Sequence, residues 1–318
     1  MDYRVEWISP DRVDAGNHFY RITTTHDKQS IDESIKRIGM LCPVVVKEQQ
    51  GRLQIVSGFR RFASSLRLLF PKVPCRILPQ NASTQQSVEL AIAENTSQRS
   101  LNVVEQARCL HLAEAAGISP LEDRIKLATV LGLSLNRNYA AKLKTVLSLS
   151  PRILNGMVDE KISLPIALQL AELSADDGEA VAALFTTIPM GLNKQREVLL
   201  SLREIAARDD VSISDLLNND ILKDKMVEPV IDGNQKARQI RSLLLKRRYP
   251  RLVKAEEQFR QTVRMLSLGH AIQLAPPPHF ESTTYTLTVR FDNLDQLRHA
   301  QHTIEKAIHH PAIAKLFD

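Results

Sequence analysis

One short segment, Ile55-Val56-Ser57-Gly58-Phe59-Arg60-Arg61-Phe62-Ala63, organises the N-terminal part of the chain. An apolar strand ends at Ser57, and a helical pattern begins after the two arginines, over Phe62–Leu69. A strand, a glycine and a helix N-terminus together favour anion binding, because the first helical N–H groups are unpaired and the helix dipole is positive there. Arg60 and Arg61 add planar donors that suit phosphate oxygens. The alternative is that both arginines are surface charges on an ordinary helix.

Length and composition narrow the class of protein. A chain of 318 residues predicts two or three domains, and its hydrophobic fraction of 43% is enough to build their cores. No apolar run is long enough to cross a membrane, and the first residues carry no apolar signal region, so we expect a cytoplasmic protein. Cys42, Cys75 and Cys109 form no CxxC pair, which predicts reduced cysteines with packing roles.

The charge of the chain permits a nucleic-acid partner. The net charge is +6 and the pI is about 9.2. Ten basic residues against two acidic ones fall between Lys236 and Arg264. This basic stretch is either a solvated helix face or a surface for non-specific binding to DNA. Aromatic residues make up only 5% of the chain, which argues against stacking on single-stranded nucleic acid.

Residues 1–80 combine helix and strand patterns. Isoleucines at helical spacing predict an amphipathic helix over Asp27–Ile38, and Gly39 would end it. Apolar or β-branched runs predict four strands, of which the last would be an edge strand because it begins with a proline: Val5–Ile8, Pro43–Val46, Leu53–Val56 and Pro74–Leu78.

The sequence becomes helical from Ser83 onward, and helices are predicted to continue to about Leu217. A short helix over Ser87–Thr96 would carry Glu94 and Asn95 near its end. The next helix is predicted to begin at Asn102, because Glu105 follows at the spacing of a capping box.

Two helices around a short turn are predicted within Asp123–Ser148. Tyr139, Leu143 and Val146 recur at the spacing of a core-facing stripe. Five polar side chains that read base edges or bind phosphates would then point outward: Asn136, Arg137, Asn138, Lys142 and Lys144. The pattern predicts a helix-turn-helix with Asn136–Ser148 as the recognition helix, and a plain helical hairpin is the alternative.

The last hundred residues change character. A linker over Asn218–Asn234 precedes a basic helix, Gln235–Arg248, and Pro250 separates it from a second helix. Two strand patterns and a final helix, Asn293–Ile308, complete a small α-β-β-α module. Because a two-stranded sheet is marginal alone, we predict that the module pairs with a second copy and forms a homodimer.

Taken in order, these features resemble the ParB family of DNA-partition proteins over roughly residues 1–175. Gly58-Phe59-Arg60-Arg61-Phe62-Ala63 resembles the G-E-R-R box of that family, and Glu94-Asn95 with Leu101-Asn102 and Glu105 resembles its E-N box. The same order is continued before and after these boxes by Ser30-Ile31, Ser34-Ile35, Gly39, Pro43-Val44-Val45-Val46 and Lys161-Ile162-Ser163 with Ala167.

The resemblance implies an α+β chain whose parts have separate tasks. It implies a ParB/sulfiredoxin-like domain over 1–97 that binds CTP with Mg²⁺, and an all-α helix-turn-helix domain over 98–217 that recognises a palindromic site in double-stranded DNA. A linker with the basic helix over 218–249 and the dimerisation module over 250–318 would follow. By position, Ser57, Gly58, Arg60, Arg61, Glu94 and Asn95 would bind the nucleotide, the last two also the metal ion.

The resemblance further implies a dimeric clamp that closes on DNA of the nucleoid or a plasmid, with a ParA-type Walker ATPase as motor partner. The main alternative is a transcriptional regulator or a nucleoid-occlusion protein of the same architecture that works without a motor.

Three departures from the family pattern matter. Phe59 replaces the glutamate of the G-E-R-R box, which argues against hydrolysis but not against binding, so the sequence predicts at most a weak CTPase and no catalytic residue. Phe59 also excludes the cysteine nucleophile of sulfiredoxins and the carboxylate base of related serine kinases. Gln98 stands where the E-N box has its arginine, and Arg99 follows it. The predicted turn between the two DNA-binding helices is one residue longer than usual.

Overall fold

In the computed structural model, which describes residues 3–24, 29–218 and 232–316, the apolar runs of the first eighty residues form one mixed sheet. Its order is β1-β5-β3-β4-β2, with antiparallel β1/β5 and β3/β4 pairs and parallel β3/β5 and β2/β4 pairs. The strands are β1 (Arg4–Ile8), β2 (Val13–Asp14), β3 (Val44–Gln49), β4 (Arg52–Ser57) and β5 (Val73–Ile77).

The prediction of an edge strand at Pro74–Leu78 is wrong. β5 lies inside the sheet between β1 and β3. The proline is tolerated because β3 pairs with β5 only from Cys75 onward, so Pro74 precedes that ladder.

Two helices lie between the strands in the sequence, α1 (Gln29–Ile38) and α2 (Phe59–Arg67), and α1 packs against α2. The predicted start of α1 at Asp27 lies outside the described residues. α2 begins three residues earlier than the predicted Phe62, directly after Gly58, so both arginines lie in its first turn. One apolar cluster joins α2 to the sheet, because Phe62 is buried against residues from all five strands, including Ile8, Val46 and Ile55.

Within the described residues 84–218, nine helices follow the sheet. The first is longer than predicted because Ser83 forms a capping box with Gln86 and starts it at Thr84. The capping box of Asn102 and Glu105 is confirmed. The helices are α3 (Thr84–Gln98), α4 (Val103–Ala115), α5 (Leu121–Val130), α6 (Arg137–Val146), α7 (Pro151–Val158), α8 (Leu164–Ala171), α9 (Ala175–Thr187), α10 (Leu192–Asp209) and α11 (Ile213–Asn218).

The chain divides into two compact units. One comprises Met1–Arg196 with Ser212–Asn218, and the other comprises Glu197–Val211 with Asn219–Asp318. The second unit holds the predicted helix, strand, strand and helix in order, around Leu266, Ile272 and Ala300. Most of the predicted linker, 219–231, lies outside the described residues. The elements of this unit are α12 (Gly233–Arg248), α13 (Pro250–Leu266), β6 (Ile272–Ala275), β7 (Thr286–Val289) and α14 (Leu294–Ile308).

The basic stretch is not a uniformly solvated face. Three arginines of α12 pair with carboxylates of α10: Arg241 with Glu197 at 2.6 Å, Arg247 with Asp209 at 3.0 Å and Arg248 with Glu204 at 2.5 Å. Arg208 also donates to the backbone carbonyls of Arg247 and Arg248, at 2.7 and 3.2 Å. These contacts fasten α12 to α10, so part of the positive charge is already neutralised within the unit.

Among the described helices, none is long and apolar enough to cross a membrane.

Candidate functional site

The six residues predicted to bind a nucleotide line one cavity of about 390 Å³. Ser57 comes from the end of β4, Gly58 and the two arginines from the start of α2, and Glu94 and Asn95 from the C-terminal half of α3. The fourth wall is the end of α1 and the loop to β3, from Ile35 to Cys42. The structure therefore brings together residues that lie up to 38 positions apart in the sequence.

Gly58 sits at the junction that the sequence singles out. Its φ of 93° is left-handed, and its carbonyl accepts the first helical N–H of α2, from Phe62, at 2.9 Å. A Cβ added at Gly58 would lie 3.1 Å from Nη2 of Arg61. No side chain caps α2. The first N–H groups of a helix have no acceptor within the helix, so this end of α2 suits an anion.

Arg61 is held from two sides. Its guanidinium pairs with the carboxylate of Glu94 and donates to the backbone carbonyls of Cys42 and Pro43, both at 3.0 Å. Gln98 donates to the same Glu94 oxygen at 3.1 Å. The pair is largely shielded from water, with side chains 17% and 21% exposed. The cavity thus contains a carboxylate and a guanidinium group whose opposite charges neutralise each other.

Asn95 is oriented by its neighbours. Its side-chain amide donates to the carbonyl of Ala91 at 2.8 Å, and its side-chain oxygen accepts from the hydroxyl of Thr23 at 3.1 Å. Asn95 lines the same cavity as Glu94. Among the described residues, no group of three His, Cys, Asp or Glu side chains is placed to hold a metal ion.

Phe59 stands where the family pattern has a carboxylate. It lines the cavity, but it also packs against the apolar cluster of the sheet, and its ring centroid lies 6.1 Å from that of His18. The residue therefore adds an apolar wall next to the two arginines and offers no group that could accept a proton.

A buried network beside the cavity was missed by the sequence reasoning. Glu105 is fully buried and accepts from the backbone and hydroxyl of Thr24, from the backbone of Asn102, and from Arg99 at 2.7 and 2.8 Å. Burial would raise the pKa of Glu105, but the hydrogen bonds from Arg99, Thr24 and Asn102 outweigh it and lower this pKa. The capping-box pattern reveals only the contact with Asn102, because Thr24 lies 81 positions away.

A second, larger cavity of about 660 Å³ adjoins this network and shares Thr23 with the first. Arg108 lines it and donates to the carbonyls of Ile22 and Thr23 at 3.2 and 3.1 Å. Burial, followed by the charge of Arg21, lowers the pKa of Arg108. None of the predicted nucleotide-binding residues lines this larger cavity, so we assign the site to the smaller one.

The five residues predicted to contact DNA lie at the start and along the outer side of α6, and all are exposed. Asn136 uses its side-chain oxygen to cap α6 through the N–H of Tyr139 at 2.8 Å. Arg137 is near Glu122 of α5, with 3.3 Å between Nε and Oε1. Leu143 and Val146 are buried as predicted, whereas Tyr139 is half-buried and donates its hydroxyl to Gln106 of α4. The contact of these five residues with DNA stays a prediction.

Comparison with known proteins finds similarity mainly in the N-terminal half of the chain. Residues 3–96 match the family model of the ParB N-terminal domain. A probable chromosome-partitioning protein ParB of Helicobacter pylori is 27% identical over 154 residues, covering 48% of this chain and 50% of that protein. A nucleoid occlusion protein of Halalkalibacterium halodurans is 31% identical over 179 residues, covering 55% and 60%. The chromosome-partitioning protein Spo0J of Thermus thermophilus is 26% identical, covering 47% and 52%.

The chain thus spans between half and three fifths of the length of these relatives. Among solved structures, the C-terminally truncated chromosome-partitioning protein ParB from Caulobacter crescentus complexed with CTP-gamma-S is 21% identical. That match covers 57% of this chain and 98% of that one, with a TM-score of 0.27, which is too low to establish a shared overall structure.

Proposed function

We propose, from the premise that residues 3–96 are a ParB N-terminal domain, that this chain is a DNA-binding partition protein controlled by CTP. One observation carries the proposal. The glycine, the two arginines, the glutamate and the asparagine that match the boxes of the family all line one cavity at the N-terminus of a helix. The curated relatives support it, because chromosome-partitioning proteins are prominent among them.

The residues of the cavity suit a nucleoside triphosphate. The first turn of α2 offers backbone N–H groups next to a left-handed glycine, where a phosphate group can approach the backbone closely. Arg60 lies in that turn, half-buried, and lines the cavity. The preference for CTP over other nucleotides is taken from the family resemblance.

A magnesium ion fits the cavity only together with the nucleotide. Glu94 and Asn95 supply two oxygen atoms of the kind that Mg²⁺ prefers, and the remaining ligands would be phosphate oxygens and water. The ion would supply positive charge to the carboxylate of Glu94 when phosphate draws Arg61 away from it. The Arg61–Glu94 pair is therefore compatible with a Mg²⁺-dependent site.

The α5–α6 pair is proposed as the DNA-binding element. Its outer surface presents two lysines, an arginine and two asparagines, and no carboxylate of α6 interrupts them. We propose that Asn138, Lys142 and Lys144 contact the DNA directly. Arg137 would exchange Glu122 for a base or a phosphate, and Asn136 would hold the start of the recognition helix in place through its cap.

Higher assembly is proposed from the resemblance and from the second unit. Its two-stranded sheet has outer edges among the described residues, and its apolar core is small, which suits pairing with a second copy. Such a homodimer would bind a palindromic site and close into a clamp on DNA, and a ParA-type ATPase would act on it. Nucleotide hydrolysis is at most weak, because Phe59 offers no proton acceptor.

A second function is favoured by one relative. The nucleoid occlusion protein of Halalkalibacterium halodurans is 31% identical over 179 residues, a higher identity than that of the two partition proteins described above. A site-bound protein of that kind would use the same nucleotide site and DNA-binding helices without a motor partner.

Calorimetric titration with CTP, ATP, GTP and UTP in the presence of Mg²⁺ tests the proposal. We expect binding of CTP to the intact chain and its loss in Arg60→Ala. Arg37→Ala is the matched control, because Arg37 is an exposed arginine in the last turn of α1 outside the cavity. Equal CTP affinity in all three proteins would refute the site, and tighter binding of another nucleotide would refute the assignment to CTP.

A further inference from the structure

The outer edge of the five-stranded sheet carries an apolar stripe. Tyr3, which directly precedes β1, lies on the same face as Val5 and Trp7 of the strand. These three side chains are 51%, 56% and 65% exposed, whereas Ile8 on the opposite face is buried. Within the residues that the structure describes, β5 is the only strand that pairs with β1. A strand edge and an aromatic stripe therefore face solvent together, which soluble proteins usually avoid.

One ring of the stripe, that of Tyr3, is held by a cation–π contact. The guanidinium of Arg76 on β5 lies 3.2 Å from the centre of the Tyr3 ring, which fixes the side on which this ring lies. Arg76 is also the cross-strand partner of Val5, and Pro74 is the partner of Trp7. The apolar side chains thus stand at defined positions along the edge.

The sequence of this edge is complementary to itself. If two copies of β1 pair antiparallel about Val5, Tyr3 of one strand faces Trp7 of the other, and Val5 faces Val5. Arg4 and Glu6 already pair with each other within one strand, with 2.9 Å between Nε and Oε1. In the paired copies Arg4 would also face Glu6 of the other strand, in both halves of the pair. Aromatic pairs and opposite charges are the cross-strand combinations that stabilise antiparallel strands.

We infer that β1 is a docking edge for the β1 strand of a second copy of this chain. The two sheets would join across a two-fold axis beside Val5, so that the same surface is used by both copies. Tyr3, Val5 and Trp7 of both copies would form one apolar face, with Arg4 and Glu6 setting the register. The stripe is short, so the pairing is weak unless other contacts hold the two copies near each other.

Trp7 provides the first test, because it is the only tryptophan of the chain. In the intact protein, pairing shields Trp7 and shifts its fluorescence emission to the blue. Arg4→Glu places Glu opposite Glu, and Glu6→Arg places Arg opposite Arg, so each single variant should emit further to the red. The double variant Arg4→Glu/Glu6→Arg restores opposite charges and should return the emission to that of the wild type.

Cysteine cross-linking provides the second test and fixes the register. In a background with the exposed Cys42 replaced by Ser, Val5→Cys places two cysteines directly opposite each other, about 5 Å apart at Cβ. Tyr3→Cys is the matched control, since the two copies of residue 3 would be about 13 Å apart, four residues along a strand. We expect an oxidised dimer for Val5→Cys and none for Tyr3→Cys.

Identical emission from the wild type, both single variants and the double variant would overturn the inference. So would equal cross-linking at positions 3 and 5, or cross-linking at neither. A blue shift in the wild type that the double variant fails to restore would mean that Trp7 is covered by something other than a second β1, such as a strand of a different protein.

Discussion

The guanidinium of Arg61 on α2 pairs with the carboxylate of Glu94 on α3 across the candidate nucleotide cavity. The same guanidinium donates to the carbonyls of Cys42 and Pro43, so one side chain joins three walls of the cavity. In this arrangement a phosphate group competes with Glu94 for Arg61. A divalent cation beside Glu94 would remove that competition, and nucleotide binding and Mg²⁺ binding would then depend on each other.

Glu94→Gln should uncouple the nucleotide from the metal ion. Without Mg²⁺ the variant should bind CTP more tightly than the wild type, because Arg61 no longer has a carboxylate partner. On addition of Mg²⁺ the affinity of the wild type for CTP should rise. The factor by which it rises should be about tenfold smaller in the variant, which corresponds to about 1.4 kcal/mol. Calorimetric titration with and without Mg²⁺ measures both effects.

Glu89→Gln is the control for this experiment. Glu89 lies on the same helix outside the cavity and interacts with Gln85. A metal dependence that is the same in Glu94→Gln, Glu89→Gln and the wild type would contradict the role assigned to Glu94.

Gly58→Ala should impair the cavity more than its backbone strain alone explains. A non-glycine residue in the left-handed region costs about 1–2 kcal/mol, and here the added Cβ would also press on Arg61 at 3.1 Å. Gly51→Ala is matched, because its φ of 76° is also left-handed but an added Cβ meets nothing within 4 Å. Urea unfolding should show a similar loss of stability in both variants, while only Gly58→Ala should lose CTP binding. Equal CTP affinities would show that the space at Gly58 is not needed.

The sequence predicts the strand, glycine and helix at Ile55–Ala63 well, because these elements are determined by residues that are adjacent in the chain. The cap at Asn102 is likewise visible from its spacing to Glu105. The cap that Asn136 forms on α6 was not predicted, because the sequence analysis assigned this side chain only to DNA contact. The interior position of β5 is not visible, because the order of strands depends on pairing between distant segments. The pairing of the basic helix α12 with α10 is hidden for the same reason, since a run of arginines does not reveal carboxylates about forty residues earlier.

Glu105→Gln should destabilise the first unit in a pH-dependent way. The pKa of Glu105 is lowered in the folded state, so the ionised carboxylate stabilises the fold above its ordinary pKa of 4.5, and this contribution is lost as the pH falls below that value. Near pH 7 we expect a loss of about 2 kcal/mol, since Arg99 loses its buried charged partner.

Urea unfolding at a series of pH values measures this difference, which should shrink on acidification. Glu179→Gln serves as the control, because its pair with Arg152 is exposed and should contribute less than about 1 kcal/mol. If the difference in stability between wild type and Glu105→Gln stays constant at pH values below 4.5, the stabilising role of the ionised Glu105 carboxylate would be contradicted.

Arg137→Ala should weaken binding to the specific DNA site by about 1–3 kcal/mol if Arg137 reads a guanine. Arg152→Ala is the control, because Arg152 is an exposed arginine at the start of α7 outside α6. Fluorescence anisotropy with the specific duplex and with a random duplex measures the effect. An equal loss on both duplexes would identify Arg137 as a phosphate contact, and no loss on either would exclude it from the interface.

Arg248→Ala should lower stability rather than affinity for DNA. Its side chain is 14% exposed and its guanidinium makes two contacts with Glu204, so we expect a loss of about 1 kcal/mol. Arg238→Ala, an exposed arginine of the same helix, should leave stability unchanged. Urea unfolding gives the stability, and the dependence of non-specific DNA binding on salt should flatten for Arg238→Ala. A flattened salt dependence in Arg248→Ala with unchanged stability would reverse these roles.

We propose that the protein loads on DNA as a nucleotide-controlled partition clamp, and chromatin immunoprecipitation sequenced across the genome distinguishes such a clamp from a site-bound regulator. We expect a broad domain of signal on both sides of one palindromic site, and a collapse of this domain to a sharp peak in Arg60→Ala. Isolated sharp peaks at promoters in the wild type, unchanged in Arg60→Ala, would contradict the clamp and identify a site-bound regulator.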